Sequence, residues 1–596
     1  MRGISSAKDA SEESRRTAKK MNFFIGILKS QQINTNKHKL FYSHKKIRVN
    51  KLTQISTKRR NFHYLCTMFV RKKKNRTGTI SVVVVDKSHG FKEVKNFGVV
   101  RTDEEADFLC MRAREWIHAY GGQQVIDFGR NTVQDRELQE TERAFANIDS
   151  VFMNAPQLIL NPIYDSIGFN RIPDEVLRHL VIARICQPMS KLATVDYLKS
   201  HFNEDTSLDQ IYYYMDKLYN TQQETVQQIS VEHTRRILGG CIGIVFYDCT
   251  TVYFESFIRD KLCEPGFSKD GKSKENQIVI GLLVSPGGYP LAYSVFCGSQ
   301  YEGFTMIPVV DDFVKRFHLE DVVVVADSGL MTKKNVLLLQ TGKYKYILGA
   351  RNRNEAKEIR EWILSQDKKE NTYPEYEKTH AIPDPTPEDP KATKVIKERL
   401  IITYSKDRAK NDAENRKRGI ERLRRAFGSG TIKKESINRR GYNKFLEITN
   451  DVGITINEEK IKEDENWDGW KGYITNTDIA AKEVVSQYHG LWVVERAFRI
   501  TKGNLETRPV FHFTSKRIEA HICICFIAYK VYKELERIMK LMKFPLSVDK
   551  ALEIAKTIPT VTMKLPYNQQ KLTKTLFLTD EQRAIKPLFD LKKYFG

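Results

Sequence analysis

CIGIVFYD, residues 241–248, and VVVVAD, residues 322–327, decide the fold class. Each is a short apolar run ending in an aspartate, and a continuous stretch such as Val322–Val325 implies burial on both faces, hence a central strand. Between them QIVIGLLV (277–284) and PLAYSVF (290–296) read as two more strands, joined by the turn Ser285-Pro286-Gly287-Gly288, and 306–316 reads as a helix. A helix from about Thr332 and the strand YKYILGA (344–350) follow. The β-β-β-α-β-α-β series predicts an α/β core built on a mixed sheet.

Working outward, residues 172–238 carry helical periodicity, with Ile172-Pro173-Asp174-Glu175 as a helix start. Ahead of them a hairpin (Thr79–Val85 and Phe91–Val100, around His89-Gly90) and a helix over 102–120 make a small α+β module. Downstream, regularity breaks over 351–468, which holds the Pro-rich charged piece 374–390, a strand ERLIITY (398–404) and a basic helix over 409–425. The core pattern returns at GYITN (472–476). The expected layout is a basic leader (1–67), an N-terminal module (68–150), a helical domain (151–240), a core in two parts (241–350 and 471–545) around an insertion (351–470), and a Lys-rich tail (546–596).

A chain of 596 residues exceeds one compact core, and its 41% hydrophobic and 29% charged content is that of a packed globular protein. The net charge of +24 points to a polyanionic partner, but residues 1–67 alone hold 16 Lys and Arg against three acids, so over half of that signal is local. The leader reads as a disordered arm or as an extension upstream of a start at Met68. No apolar run reaches the roughly 20 residues of a membrane span, and Ala520–Tyr529 stops at Lys530. Nine scattered cysteines without a CxxC pair indicate neither a zinc site nor a disulfide framework, and a cytoplasmic location fits them.

Asp248 and Asp327 each close an apolar strand, 79 positions apart; if those strands are neighbours, their acids share one mouth. Taken singly, such an acid is more often a turn or helix cap. A third element strengthens the pair: QYHGLWVVERAFRITK (487–502) predicts a helix on which Tyr488, Trp492, Glu495, Arg499 and Lys502 share one face and Val493, Val494, Ala497 and Ile500 the other. Read plainly, that is a solvated face with a Glu495–Arg499 pair. Trp and Tyr on it also suit stacking against bases, and Gly490 threatens the continuity of the helix. His179, His318 and His489 read as core or surface residues, Asp270 as part of a solvated turn, Asp311 and Asp312 as helix surface, and Lys272 and Lys274 as a wet charged face.

With these residues in view, the chain resembles the DDE transposases of bacterial insertion sequences, in the group whose glutamate lies in a Tyr-Arg-Glu-Lys signature. The resemblance runs through VIARICQPMSKLATVDYL (181–198), FYDCTTVYFE (246–255), GFSKDGKSKENQIVIGLLV (266–284), VVVVADSG (322–329) and YHGLWVVERAFRITKGNLETRPVFHFTSKRIEAHICICFIA (488–528). It implies an RNase H-like catalytic core, a mixed five-stranded sheet with helices, carrying a strand-containing insertion. Asp248, Asp327 and Glu495 are then the carboxylates that bind two Mg²⁺ ions, with Mn²⁺ as a substitute. Arg496, Arg499 and Lys502 would hold DNA phosphates, and Tyr488 or Trp492 would brace a distorted terminal base. The implied partners are double-stranded DNA, as terminal inverted repeats and as target, and a second copy of the chain on the paired ends. Of the signature, Tyr488, Glu495 and Lys502 are present, while position 491, the place of the arginine, is leucine.

Three other readings remain. A domesticated element would bind DNA without cutting it, and the presence of all three acids argues against that. A non-transposing nuclease of the same fold class would leave the helical domain before Cys241 surplus. A carboxylate-pair glycosidase predicts metal independence and no DNA affinity.

Overall fold

The computed structural model describes residues 67–120 except 89, and 133–595 except 255–260, 268–273, 320, 343, 384–391, 429–440, 450–452, 509, 511 and 567. Residues 1–66 of the basic leader, Asp270 and Lys272 lie outside the described residues. The chain divides into two compact units, one up to Arg143 and one from Ala144 on.

In the first unit β1 (Met68–Lys74), β2 (Ile80–Asp86) and β3 (Lys92–Val100) form an antiparallel meander, and α1 (Asp103–Tyr120) packs on it. Ala106, Cys110 and Ala113 of α1 bury Ile80, Val82 and Val84 of β2. The hairpin is legible from its apolar residues. β1 is not, because Arg71–Lys74 are all charged and only full pairing with β2 makes them a strand.

After α2 (Val133–Ala146), the second unit continues with β4 (Ile148–Phe152) and helices α3 (Ala155–Ile167), α4 (Glu175–Cys186), α5 (Lys191–Tyr197), α6 (Leu208–Thr221) and α7 (Gln223–Ile237). α4 starts at Glu175, as its sequence predicts, and α6 is opened by a capping box between Ser207 and Gln210.

The sheet elements follow: β5 (Ile244–Tyr253), β6 (Glu264–Pro265), β7 (Asn276–Val284), β8 (Pro290–Cys297), α8 (Met306–Phe317), β9 (Val323–Ala326), α9 (Lys333–Thr341) and β10 (Lys345–Gly349). α10 (Lys357–Ser365), β11 (Glu375–Pro383), β12 (Thr393–Tyr404), α11 (Lys406–Gly428), β13 (Leu446–Thr449), β14 (Gly453–Ile456) and α12 (Glu458–Glu465) lead to β15 (Trp470–Thr475). Among the described residues nine of these strands make one mixed sheet, in the order β11-β12-β15-β10-β9-β5-β7-β6 with β8 also on β7. β9 is parallel to β5 and to β10, and its central place explains the uninterrupted valines.

Helices α13 (Ala481–His489), α14 (Trp492–Lys502) and α15 (Ser515–Leu541) come next. One sheet face, with Val245, Tyr247, Val324 and Ala326, is covered by Met306, Val310 and Phe313 of α8. The other, with Phe246, Val325, Ile347 and Tyr473, is covered by Val484, Val494 and Ala497 of α13 and α14. The stretch read as a Lys-rich tail folds into α16 (Val548–Ala555), β16 (Thr560–Lys564), β17 (Lys571–Thr575) and α17 (Asp580–Ala584), and β16 pairs with β4. Its lysines mask a strand whose partner lies some 410 positions earlier in the chain.

α15 is buried nearly all round, against α3, α4, α6 and α7. Lys530, which ends the apolar run Ala520–Tyr529, is itself buried and donates to the Ser230 carbonyl (2.9 Å) and the Thr234 hydroxyl (2.5 Å). Among the described residues no helix is long and apolar enough to cross a membrane. Nearby, burial raises the Glu536 carboxyl, yet hydrogen-bonded Arg496 and Lys533 outweigh it and hold Glu536 at about 2. A carboxyl depressed in the folded state stabilises above its unfolded value near 4.5 and loses that contribution as pH falls toward 2. Glu536→Gln should therefore melt lower than wild type at pH 6, with the gap narrowing between pH 4.5 and 2 in thermal scans; a gap independent of pH would remove Glu536 from the acid response.

Candidate active site

β5 and β9 run parallel with Phe246 beside Val325 and Tyr247 beside Ala326, so the next step of the register sets Asp248 beside Asp327. Neighbouring strands lie about 4.8 Å apart. Alternation turns both carboxylates to the face of Phe246 and Val325, the face that carries α13 and α14. The expectation that Asp248 ends its strand is corrected: β5 continues to Tyr253, because β7 goes on pairing with it after β9 has stopped. Asp248 is half-buried, and its Oδ1 accepts the Cys249 N–H at 2.8 Å. Asp327 follows the last residue of β9 and leads into a short 3-10 turn, Ser328–Leu330.

The same row continues across the sheet. Leu348 pairs with Ala326 and Gly349 with Tyr473, which brings Asp327, Gly349 and Tyr473 abreast. A Cβ at position 349 would stand 2.5 Å from the Tyr488 Oη and 2.9 Å from the Ser328 nitrogen. With glycine there, the Tyr488 hydroxyl reaches through and donates to Asp327 Oδ1 at 2.7 Å. Asp327 presents surface to a cleft, yet the enclosing protein strips water from its carboxyl, which raises its pKa. The Tyr488 hydroxyl, the Ser328 N–H, the Lys471 ammonium and the Gly329 N–H outweigh that and hold it below the usual carboxylate range. Burial, then the Asp327 charge, raises the Tyr488 phenol in return and keeps it a donor.

Lys471, at the start of β15, is half-buried with its Nζ 4.4 Å from the centre of the Tyr488 ring. Burial and then Arg408 lower its pKa, while Asp327 and Glu495 act in the opposite sense. Arg351, just beyond β10, donates to the carbonyls of Ser328 (3.0 Å) and Gly329 (3.1 Å), bracing the turn that carries Asp327.

The helix expected over 487–502 is two helices. The hydrogen bonds tighten at Gly490 and Leu491, and a Cβ at Gly490 would lie 2.6 Å from the Phe246 ring, so glycine permits the close approach. The break takes Tyr488 off the exposed stripe: it is 3% exposed and spent on Asp327, where the sequence placed it against a base. Trp492 (57% exposed), Glu495 and Arg499 do share the open face of α14, and Val493, Val494, Ala497 and Ile500 are buried. Arg496, expected at phosphate, is instead ion-paired with Glu536 of α15. Leu491 is buried.

Gly490 abuts Phe246, α14 packs on β5, and Lys502 lines one small cavity with Thr250 and Val252.

Asp248 and Asp327 are hard oxygen donors side by side, which fits a divalent cation. Among the described residues no three His, Cys, Asp or Glu side chains are gathered tightly enough to hold an ion. Asp327 also opens onto a cleft of about 870 Å³ whose far wall is α11 and α12, and Arg351, Arg408, Arg416, Lys444 and Lys471 line it. His179, His318 and His489 take no place at this centre: His179 is buried beside Glu204, His318 closes α8 and His489 faces Tyr473.

Sequence reasoning missed Gly349, Arg351 and Lys471. Only the cross-strand register, which no local pattern carries, sets them beside Asp327. Residues 240–530 match the family model described as a transposase DDE domain. No curated protein matches the chain.

Proposed function

From a transposase DDE domain over residues 240–530, we infer that the chain is the transposase of an insertion sequence, which binds the element's terminal repeats, cuts DNA there and joins the freed end to target DNA. The observation that carries the reading is the register of β5 and β9, which puts two aspartates of widely separated segments side by side on the helix-bearing face of one sheet. The strand order β8-β7-β5-β9-β10, three antiparallel strands followed by two parallel ones, supports an RNase H-like core. In this reading that core comprises 241–350 and 471–545, the helices of 151–240 recognise the element's ends, and two copies hold the paired ends.

Asp248 and Asp327 are the proposed metal-binding carboxylates, with Glu495 completing the set from α14. Two bound Mg²⁺ ions supply Lewis acidity toward the entering and leaving oxygens of a phosphodiester. The protein's own part is placement. Tyr488 fixes the Asp327 carboxylate, Arg351 fixes its turn, and Trp492, Arg499 and Lys502 contact DNA along α14. The chemistry is two in-line displacements at phosphorus: water frees a 3′-hydroxyl at the element's end, and that hydroxyl then displaces a 3′-oxygen of the target strand. No covalent link between protein and DNA forms.

The test is a cleavage and strand-transfer assay of the full chain on duplexes taken from the gene's flanks, with Mg²⁺ or EDTA. Joined products with Mg²⁺ and none with EDTA are expected; products that persist in EDTA would end the reading. Glu495→Gln in the same assay should abolish both steps while DNA binding survives.

A further inference from the structure

In the signature that this chain resembles, an arginine precedes the glutamate by four positions, and here that position is Leu491, buried at the start of α14. Arg496 is turned to Glu536, and Arg499 lies a full turn beyond Glu495. The cation that feels both Asp327 and Glu495 comes from a different element, β15.

Lys471 and Tyr473 alternate onto the sheet face that Asp248 and Asp327 share. Register continues Gly349–Tyr473 to place Lys471 opposite Arg351, one step outward from the row that holds Asp327. The ammonium is held over the Tyr488 ring, itself fixed by its bond to Asp327, so its position relative to that carboxylate is set by rigid parts. Among the described residues Lys471 has no ion pair, although it lines the cleft with Asp327. A cation kept half-buried in the wall of the cleft that Asp327 opens onto, and paired with no carboxylate, is matched to an anion that arrives from outside.

We propose that Lys471, from β15, holds a non-bridging oxygen of the DNA phosphate at or next to the cleaved bond, at a centre where position 491 offers leucine and no cation. The inference rests on the transposase reading and adds a residue to it. Arg351 and Arg408 line the same cleft, where Arg408 lies beside Asp412, and Arg416 and Lys444 are paired with Asp468 and Asp464.

The test combines protein and DNA changes. Wild type, Lys471→Met and Lys471→Arg are compared on duplexes that each carry a single neutral methylphosphonate near the cleaved bond. Lys471→Met should lower the single-turnover cleavage rate about 10- to 100-fold on natural DNA, the range expected of one charge-assisted hydrogen bond. Lys471→Arg should recover most of the rate, and all three proteins should melt at the same temperature. At one phosphate the methylphosphonate that slows wild type should cost Lys471→Met nothing. Penalties that multiply at every position would make Lys471 only a counter-charge to the carboxylates, and would overturn the proposal, as would full activity of Lys471→Met. Dissociation constants measured with Ca²⁺ in place of Mg²⁺ should show the same single-site cancellation. That arm judges Lys471 even if wild type never cuts, an outcome that would sink the transposase reading separately.

Discussion

Asp327→Asn is expected to lower cleavage on the order of 10³-fold while affinity for the element's ends stays at the wild-type level, and Asp248→Asn should do the same. The substitution keeps size and shape, so the Tyr488 hydroxyl still finds an oxygen to donate to and the turn at Ser328 stays braced by Arg351. What goes is negative charge, and charge is what a divalent ion and an in-line displacement require of this position. The two substitutions should not multiply, because one aspartate without its neighbour cannot complete the site. Single-turnover cleavage and a binding isotherm on the same duplex decide it. If either variant cuts at the wild-type rate, the assignment of the register pair as the metal site is wrong, whatever becomes of DNA binding.

Gly349→Ala is the second large effect, and it tests the packing behind the chemistry. The added methyl meets the Tyr488 Oη at 2.5 Å and the Ser328 nitrogen at 2.9 Å. The first contact is the end of a side chain packed against Tyr473 and Lys471, and the second is backbone. Neither yields without moving the Asp327 turn. A displacement of about 1 Å at a reacting centre costs about 100-fold, so Gly349→Ala should lose that much cleavage with little change in DNA affinity. Tyr488→Phe, which removes only the hydroxyl, should lose less. An alanine variant as active as wild type would show that the turn tolerates the shift and that the Tyr488 bond is incidental.

The contrast between these residues shows where the sequence is readable. The two aspartates could be found because each ends an apolar run that only a buried strand explains, and Glu495 because the buried valines of α14 fix which side of the helix it takes. The break at Gly490 was signalled by the glycine itself, but its cause, the Phe246 ring 2.6 Å from where a Cβ would be, lies on a strand some 240 positions away. Tyr488 and Arg496 were misplaced for the same reason. On an isolated helix both are surface residues; in the fold one is drawn into the sheet by Asp327 and the other onto α15 by Glu536.

Burial and period are local properties, written into neighbouring residues, so the sequence by itself determined the mixed α/β class, the order of the core strands and the helical stretch before them. Register and cross-element contact are set by how distant segments meet. Tertiary structure alone therefore decided that Asp248 stands beside Asp327, that β12 of the interrupting segment joins the main sheet, that Gly349 makes room for Tyr488, and that a lysine of β15 lines the cleft onto which Asp327 opens.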